Sequence, residues 1–373
     1  MSRTHPPAVT LDGITKRYDD LEAVSGLSTT VEDGELLCLL GPSGCGKSTT
    51  LRMIGGLEMP TEGRIRLDGE DITDVAPYNR DTSIVFQNWE LFPHKSVREN
   101  VAFGLKMRDV DADERHEQAE ELLERVEMGG YGSYDPTDLS GGQKQRVALA
   151  RSLAVDPSVL LLDEPLSNLD KRLREQMEIH LKQLHEEFDK TFIYVTHNQD
   201  EAFTLADRIG IMNDGQLVQV GDPMDVYQNP TNRFTEEFLG DTNLVEGQLS
   251  ESGDQLVVKT GFGVSIPVSK NINADAGDTI DLSLRPEFLT LSSPDDQPAT
   301  ATTDGGHAVT GTIEDVLYQG STIRYSVSVS GTSLFVERHV GDRLELSTGD
   351  TVQLQWDSDD VLLFREDGTK LDV

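Results

Sequence analysis

The chain has 373 residues, enough for two domains, and sets 67 acidic against 32 basic side chains, a formal net charge of −35. So negative a surface argues against nucleic acid as a main partner, because phosphate backbones are bound by cationic patches. No apolar run nears the ~18 residues of a membrane span, the N-terminus lacks a signal peptide's charged-then-apolar pattern, and the two cysteines, Cys38 and Cys45, have no metal-ligand spacing, so a soluble, unexported chain without a disulfide framework is expected.

Residues 1–7 carry two prolines and no pattern, and read as a loose tail. From Val9 to Gly69, apolar positions such as Val24, Leu27, Val31, Ile65 and Leu67 predict strands, with turns at Asp33-Gly34 and Asp68-Gly69. Leu36–Leu40 is a continuous apolar run, hence a buried strand. It leads into Gly41-Pro42-Ser43-Gly44-Cys45-Gly46-Lys47-Ser48-Thr49, which fits the phosphate-binding loop G-x-x-x-x-G-K-[ST]. Its glycines let the backbone wrap an anion, Lys47 supplies a point charge for the β- and γ-phosphates, and Ser48 offers a magnesium ligand. A helix over 48–54 follows, with Gly55-Gly56 as its stop.

Gln87 ends the apolar run Val85-Phe86 and alone is an unremarkable loop residue. A helix is expected over 111–128, with Asp111 and Asp113 as caps and Leu122, Leu123 and Val126 as its apolar stripe. A second helix starts at Leu139-Ser140-Gly141-Gly142-Gln143 and runs to Ala154. Residues 159–162 form a buried strand that ends in Asp163-Glu164-Pro165. An apolar strand should not end in two acids unless they cap the next helix or have chemistry to do. In the chemical reading Asp163 holds magnesium and Glu164 orients the attacking water as general base. Residues 172–188 predict an amphipathic helix, and 192–195 and 209–212 further buried strands. His197 follows the first of these. A lone histidine there usually packs in a core, but after the two preceding motifs it reads as a γ-phosphate contact. Tyr18 either stacks on adenine or belongs to the core. Strands alternating with helices predict a parallel α/β sheet.

Beyond Gly240 the texture changes. Segments 255–259, 279–284, 323–329, 334–337, 351–355 and 361–364 are strand-like, with Gly, Asp and Ser between them. They predict a small all-β domain, with a mobile loop over the Pro-, Asp-, Thr- and Gly-rich stretch 292–307.

The ordered set of phosphate loop, Gln87, Leu139–Gln143 with Lys144 to Arg151, Asp163-Glu164-Pro165, Ser167-Asn168-Leu169-Asp170 and His197 resembles the ATPase subunit of ABC importers. Within that family it resembles the subgroup with an extra C-terminal β domain. Gly311-Thr312-Ile313, Tyr318-Gln319-Gly320 and Arg285-Pro286-Glu287 carry the likeness of that domain. The resemblance implies a P-loop α/β cassette with a helical subdomain over 8–240, then an oligomer-binding-like β domain over 241–373. It implies ATP and Mg2+ as cofactors. Catalysis would rest on Glu164, His197 and Lys47, and magnesium on Ser48, Gln87 and Asp163. Tyr18 and residues 41–49 would bind nucleotide, and Ser140, Gly141, Gly142 and Gln143 the ATP of a partner cassette. Gln87 would relay nucleotide state, Trp89 to His94 would lie near the permease, and Leu169 and Asp170 would couple the two sites. Partners implied are a second ATPase subunit, identical or paralogous, two membrane permease subunits and an extracellular solute-binding protein, at the cytoplasmic face of the membrane. A soluble ABC ATPase of nucleic-acid metabolism would need a coiled-coil or zinc insertion, or a second cassette, and none is present. Residues 238–243 and 285–287 look more like polyamine (spermidine/putrescine) importers than sugar importers of the xylose, arabinose, glucose or maltose type, with ferric iron, or an anion, behind.

The acidity divides as −20 over residues 1–240 and −15 over 241–373, so it is a property of both domains and no tail. Together with Arg outnumbering Lys, it points to a salt-rich cytoplasm and a halophilic, archaeal source, where screening removes the self-repulsion. Melting temperature should therefore fall when potassium chloride is lowered from about 3 M to about 0.1 M; a temperature that holds or rises would contradict this origin.

Overall fold

The computed structural model describes residues 6–253, 255–268, 274–292 and 306–371. The expected tail and the expected loop 292–307 fall mostly on 1–5 and 293–305, outside the described residues. The chain separates into two units, Met1–Gln228 and Asn229–Val373.

In chain order the first unit comprises β1 (Val9–Tyr18), β2 (Leu21–Val31), β3 (Leu36–Leu40), α1 (Lys47–Ile54), β4 (Glu62–Leu67), β5 (Glu70–Asp71), β6 (Thr82–Val85), α2 (Val97–Val101), α3 (Phe103–Met107), α4 (Ala112–Arg125), α5 (Gly141–Leu153), β7 (Val159–Asp163), α6 (Lys171–Phe188), β8 (Thr191–Thr196), α7 (Gln199–Leu205), β9 (Arg208–Asn213), β10 (Gln216–Gly221) and α8 (Pro223–Gln228). The sheet order is β10-β9-β3-β8-β7-β6, parallel except for β10 at one edge. Every residue of β3, β7 and β8 is buried, which is why these strands read as unbroken apolar runs. Leu37, Leu39, Leu161 and Val195 share one core with Leu51 and Ile54 of α1 and with Val9 and Ile65 of an antiparallel sheet β2-β1-β4-β5. The helix after the phosphate loop is thus clamped between two sheets. Helices α2 to α5 all lie in the connection between β6 and β7, and form the helical part of the unit.

Two expected helices shift slightly. The first starts at Lys47, and the second stops at Arg125 because Glu127 turns left-handed (φ 56°) and Met128 N donates to Leu123 O (2.6 Å). Helices α2, α3, α7 and α8 are elements of five to seven residues, too short to show a helical period.

The second unit holds α9 (Arg233–Leu239), β11 (Asn243–Ser252), β12 (Gln255–Thr260), β13 (Ser265–Val268), β14 (Thr279–Leu284), β15 (Thr290–Ser292), β16 (Gly306–Gln319), β17 (Thr322–Val329), β18 (Thr332–His339), β19 (Thr351–Asp357), β20 (Val361–Arg365) and β21 (Lys370–Leu371). Two antiparallel sheets, β13-β12-β11-β14-β20-β21 and β15-β19-β16-β17-β18, bury alternate residues in one core that includes Val245, Leu282, Tyr325, Val336, Leu354 and Trp356. The units part after Gln228, whereas the sequence reading set the boundary at 240. The reason is Glu236 of α9. It is fully buried and accepts from Ser283 Oγ (2.7 Å) and Arg285 Nε (3.0 Å), so α9 is fastened to β14 and its successor.

Removing one partner of a buried ion pair strands the other charge. Arg285→Ala should therefore cost the second unit roughly 3–5 kcal/mol in urea denaturation, and Glu236→Leu with Arg285→Met should recover most of it.

Candidate active site

Parallel register decides where the chemistry gathers. Leu40 pairs with Thr196, Val195 with Asp163, and Leu162 with Val85. Adjacent strands running the same way bring the loops after β3, β8, β7 and β6 to one edge of the sheet. These loops carry residues 41–46, His197, Glu164 and Gln87.

The loop after β3 is shaped by positions that admit no side chain. A Cβ on Gly41 would meet Met212 O at 2.3 Å, and one on Gly46 would meet Ala23 O at 2.4 Å. Gly44 and Gly46 also sit at φ 84° and 100°, and Gly46 caps α1. Lys47 is buried, and its ammonium donates to Gly41 O (2.7 Å) and Pro42 O (2.9 Å). Ser43 and Gly44 at the loop's crest are exposed, Pro42 is half-buried, and Ser48 and Thr49 lie in the first turn of α1. Cys45 is buried, and burial pushes its thiol up, so it acts as packing.

Ser48 Oγ donates to Asp163 Oδ1 at 2.7 Å. This pairing of a hydroxyl with a carboxylate, both hard oxygen donors, suits magnesium, which takes few protein ligands and fills the rest with phosphate and water. Among the described residues no group of three or more His, Cys, Asp or Glu could hold a metal by itself. Gln87 stands apart from that pair in its contacts: its Nε2 donates to Ser167 Oγ (3.1 Å), and its carbonyl accepts from Asn168 Nδ2 (2.9 Å).

Glu164 occupies left-handed backbone (φ 44°), a conformation unusual for a glutamate and found where a site demands it. Its N–H extends the parallel ladder to Val195 O (3.0 Å), while its carboxylate lies 3.2 Å from His197 Nδ1. His197 is half exposed. The reading of it as a packed core residue is therefore excluded. Tyr18 is likewise no core residue. It ends β1 beside the turn to Leu21, is 39% exposed, and has the Lys16 ammonium 4.8 Å from its ring centre.

Ser140 is the N-cap of α5, accepting from Gln143 N, while Gln143 Oε1 accepts from Ser140 N (2.9 Å). Gln143 thus serves the capping box of this helix. Gly141 faces Leu169 and Trp89, and Gly142 faces Leu173. The segment's neighbours come from the loops after β6 and β7 and from α6, with Trp89 and Glu90 left-handed (φ 62° and 48°) and their carbonyls held by Arg151.

Sequence reading missed a buried acidic group behind His197. Glu201 accepts from Tyr194 Oη (2.7 Å) and Thr196 Oγ1 (2.8 Å). Burial, followed by Glu201 and Asp200, pushes the carboxyl of Glu178 up to about 7. Acids in the first turn of a helix are ordinary dipole partners, so Asp200-Glu201 gave no distinctive signal.

The sequence matches known families. Residues 24–167 fit the ABC transporter model and residues 282–364 the TOBE domain model. The spermidine/putrescine import ATP-binding protein PotA of Rubrobacter xylanophilus is 42% identical over 95% of this chain and 92% of that protein. The chain belongs to the ABC transporter ATPases. The Fe(3+) ions import ATP-binding protein FbpC of Brucella abortus is 41% identical over 95% of this chain and 98% of that protein. Among solved structures, a dimeric ATP-binding cassette in a post-hydrolysis state with ADP and Pi shares 33% identity at a TM-score of 0.52, covering 58% of this chain and 98% of its own. The chain is accordingly an ATP-hydrolysing cassette of importer type with a C-terminal TOBE domain, and among its described residues no helix is long and apolar enough to cross a membrane.

Proposed function

We propose that this chain is one of two ATPase subunits that drive polyamine import, each sandwiching ATP against the other. The observation that carries the catalytic reading is the pair of adjacent contacts at one sheet edge, Ser48–Asp163 at 2.7 Å and Glu164–His197 at 3.2 Å. Residues 41–49 cradle the phosphates, with Lys47 exchanging its carbonyl partners for phosphate oxygens. Ser48 and Asp163 would hold magnesium, joined by Gln87, and the ion would neutralise charge on the phosphates. Glu164 orients the attacking water and takes up its proton, while His197 contacts the γ-phosphate and is itself oriented by Glu164. Tyr18, exposed and rigid at a strand end, stacks on adenine.

Ser140, Gly141, Gly142 and Gln143 open a 13-residue helix, whose N–H groups and dipole suit a phosphate of the partner's ATP. ATP binds the closed pair best and so draws the subunits together; hydrolysis releases them. Two permease subunits would receive that motion through the segment 89–94, with an extracellular binding protein delivering the solute. On this reading the chain works at the cytoplasmic face of the membrane. Relatives named for spermidine/putrescine import support the polyamine reading. The relative named for Fe(3+) import, 41% identical, supports ferric iron as a second reading. Calorimetry of the partner binding protein with spermidine and with ferric ion decides between them. The net charge of −35 supports a halophilic source.

Glu164→Gln should keep ATP binding and lose about 10²–10⁴-fold in turnover, the usual worth of a positioned base. Turnover within about threefold of wild type would refute the assignment. The shared site has its own test in mixing. A heterodimer of Lys47→Ala and Gly142→Asp chains confines both defects to one site, so it should recover part of the activity that each mutant homodimer lacks. Heterodimers that form by mass measurement yet stay inactive would count against independent sites built in trans; a crosslink between Ser43→Cys and Ser140→Cys with ATP, in a background without Cys38 and Cys45, then tests the trans geometry alone.

A further inference from the structure

The loop after β7 and the histidine after β8 are joined behind the site through side chains that the mechanism above does not use. Glu201 on α7 is 2% exposed. One of its oxygens accepts from both Tyr194 and Thr196, and Thr196 in turn accepts from Asn198 N (2.9 Å). His197 is therefore flanked on both sides by residues fixed through this carboxylate. The other oxygen faces Arg174 Nε of α6 at 3.6 Å. Arg174 reaches on to the loop after β7, where Nη2 donates to Leu169 O (2.9 Å) and Nε to Leu166 O (3.5 Å). Leu166 and Leu169 bracket Ser167 and Asn168, the two residues bonded to Gln87.

A buried carboxylate is an expensive way to hold a fold, since apolar packing of similar volume does so at lower cost. Its placement is better explained by what it joins. A shift of residues 166–169 moves the carbonyls that Arg174 holds. Arg174 transmits the shift to Glu201, and Glu201 to the hydroxyl that precedes His197. The ion pair at 3.6 Å and the bond to Leu166 at 3.5 Å are looser than the hydroxyl bonds, so the slack in the chain lies at Arg174, on the loop side. Burial also pushes the Tyr194 hydroxyl well above its ordinary range, which keeps it a donor to Glu201.

We propose that Glu201 and Arg174 are positioning residues that couple the loop 167–170 to His197, so that the histidine takes its working place only when that loop is seated. The proposal rests on the reading of His197 as a γ-phosphate contact. It makes ATP turnover, and not ATP affinity, the quantity that Arg174 and Glu201 control.

The test uses the full chain with magnesium and ATP, and compares Glu201→Gln, Arg174→Ala, their double variant, Arg174→Lys and His197→Ala. Turnover number, ATP affinity by calorimetry and melting temperature are measured for each. Glu201→Gln and Arg174→Ala should each lower kcat about tenfold with ATP affinity held within about twofold. The double variant should be no slower than the worse single one, because both break one link. Arg174→Lys, which keeps the charge, should recover part of the loss. Wild-type kcat in both single variants, losses that multiply in the double, or a parallel fall in ATP affinity and melting temperature would each overturn the coupling. If Glu201→Gln does not fold, the two Arg174 variants decide the matter, since that side chain is 27% exposed. His197→Ala separates the levels. If it is inactive while the single variants are fully active, the link alone fails. If it turns over like wild type, the assignment of His197 fails and the link falls with it.

Discussion

The parallel register of β3, β8, β7 and β6 is the constraint on which the rest of the cassette depends. β3, β7 and β8 are buried along their whole length, and the C-terminal end of each of the four strands is fixed to its neighbour's by the parallel ladder. A slip of one residue between β7 and β8 would turn buried side chains to the opposite face and carry Glu164 away from His197. The apolar runs of β3, β7 and β8 therefore fix the geometry of the proposed site.

On this frame the loops are tied sideways. Ser48 reaches Asp163, Glu164 reaches His197, and Gln87 reaches Ser167 and Asn168. Each tie joins two different strands' loops, so none can move far alone. Backbone strain collects at the same edge, with Glu164, Trp89 and Glu90 all left-handed. Packing elsewhere in the unit has to sustain these conformations, and α1 between its two sheets is the firmest element available to do so.

Much of this was readable in the sequence, for physical reasons that differ by residue. Buried parallel strands advertise themselves as apolar runs, and the phosphate loop as glycines before Lys47 and Ser48, because backbone and charge demands there admit few residue types. The closeness of Glu164 to His197 could be inferred only from motif order, since 33 positions separate them and pairing across strands leaves no local mark. Strand β10 was missed although Asp214-Gly215, at φ 45° and 78°, is the kind of turn that announces a hairpin. Strand β11 was missed because two of its buried positions are Asn243 and Gly247. Val258 and Leu282 press on Gly247 closely enough that a larger residue would not fit, so its alternation holds few apolar side chains. The Glu236–Arg285 pair, which holds α9 in the second unit, joins positions 49 residues apart and is silent in one dimension. So is Glu201 on α7, whose neighbours come from two other elements, β8 and α6.

The folded-back lysine gives the phosphate loop a property of its own. Lys47 already has two carbonyl partners, at 2.7 and 2.9 Å. On the proposed phosphate role of Lys47, an arriving phosphate would have to displace these, so the lysine would trade old bonds for new ones and keep only the difference in strength between them. When phosphate leaves, the same carbonyls are at hand to receive the ammonium again, and a buried cation is never left bare. The loop thus behaves as an exchange site with a built-in stand-in for the ligand. With nucleotide held there as proposed, occupancy would be reversed at each cycle without leaving the buried ammonium desolvated and unpaired.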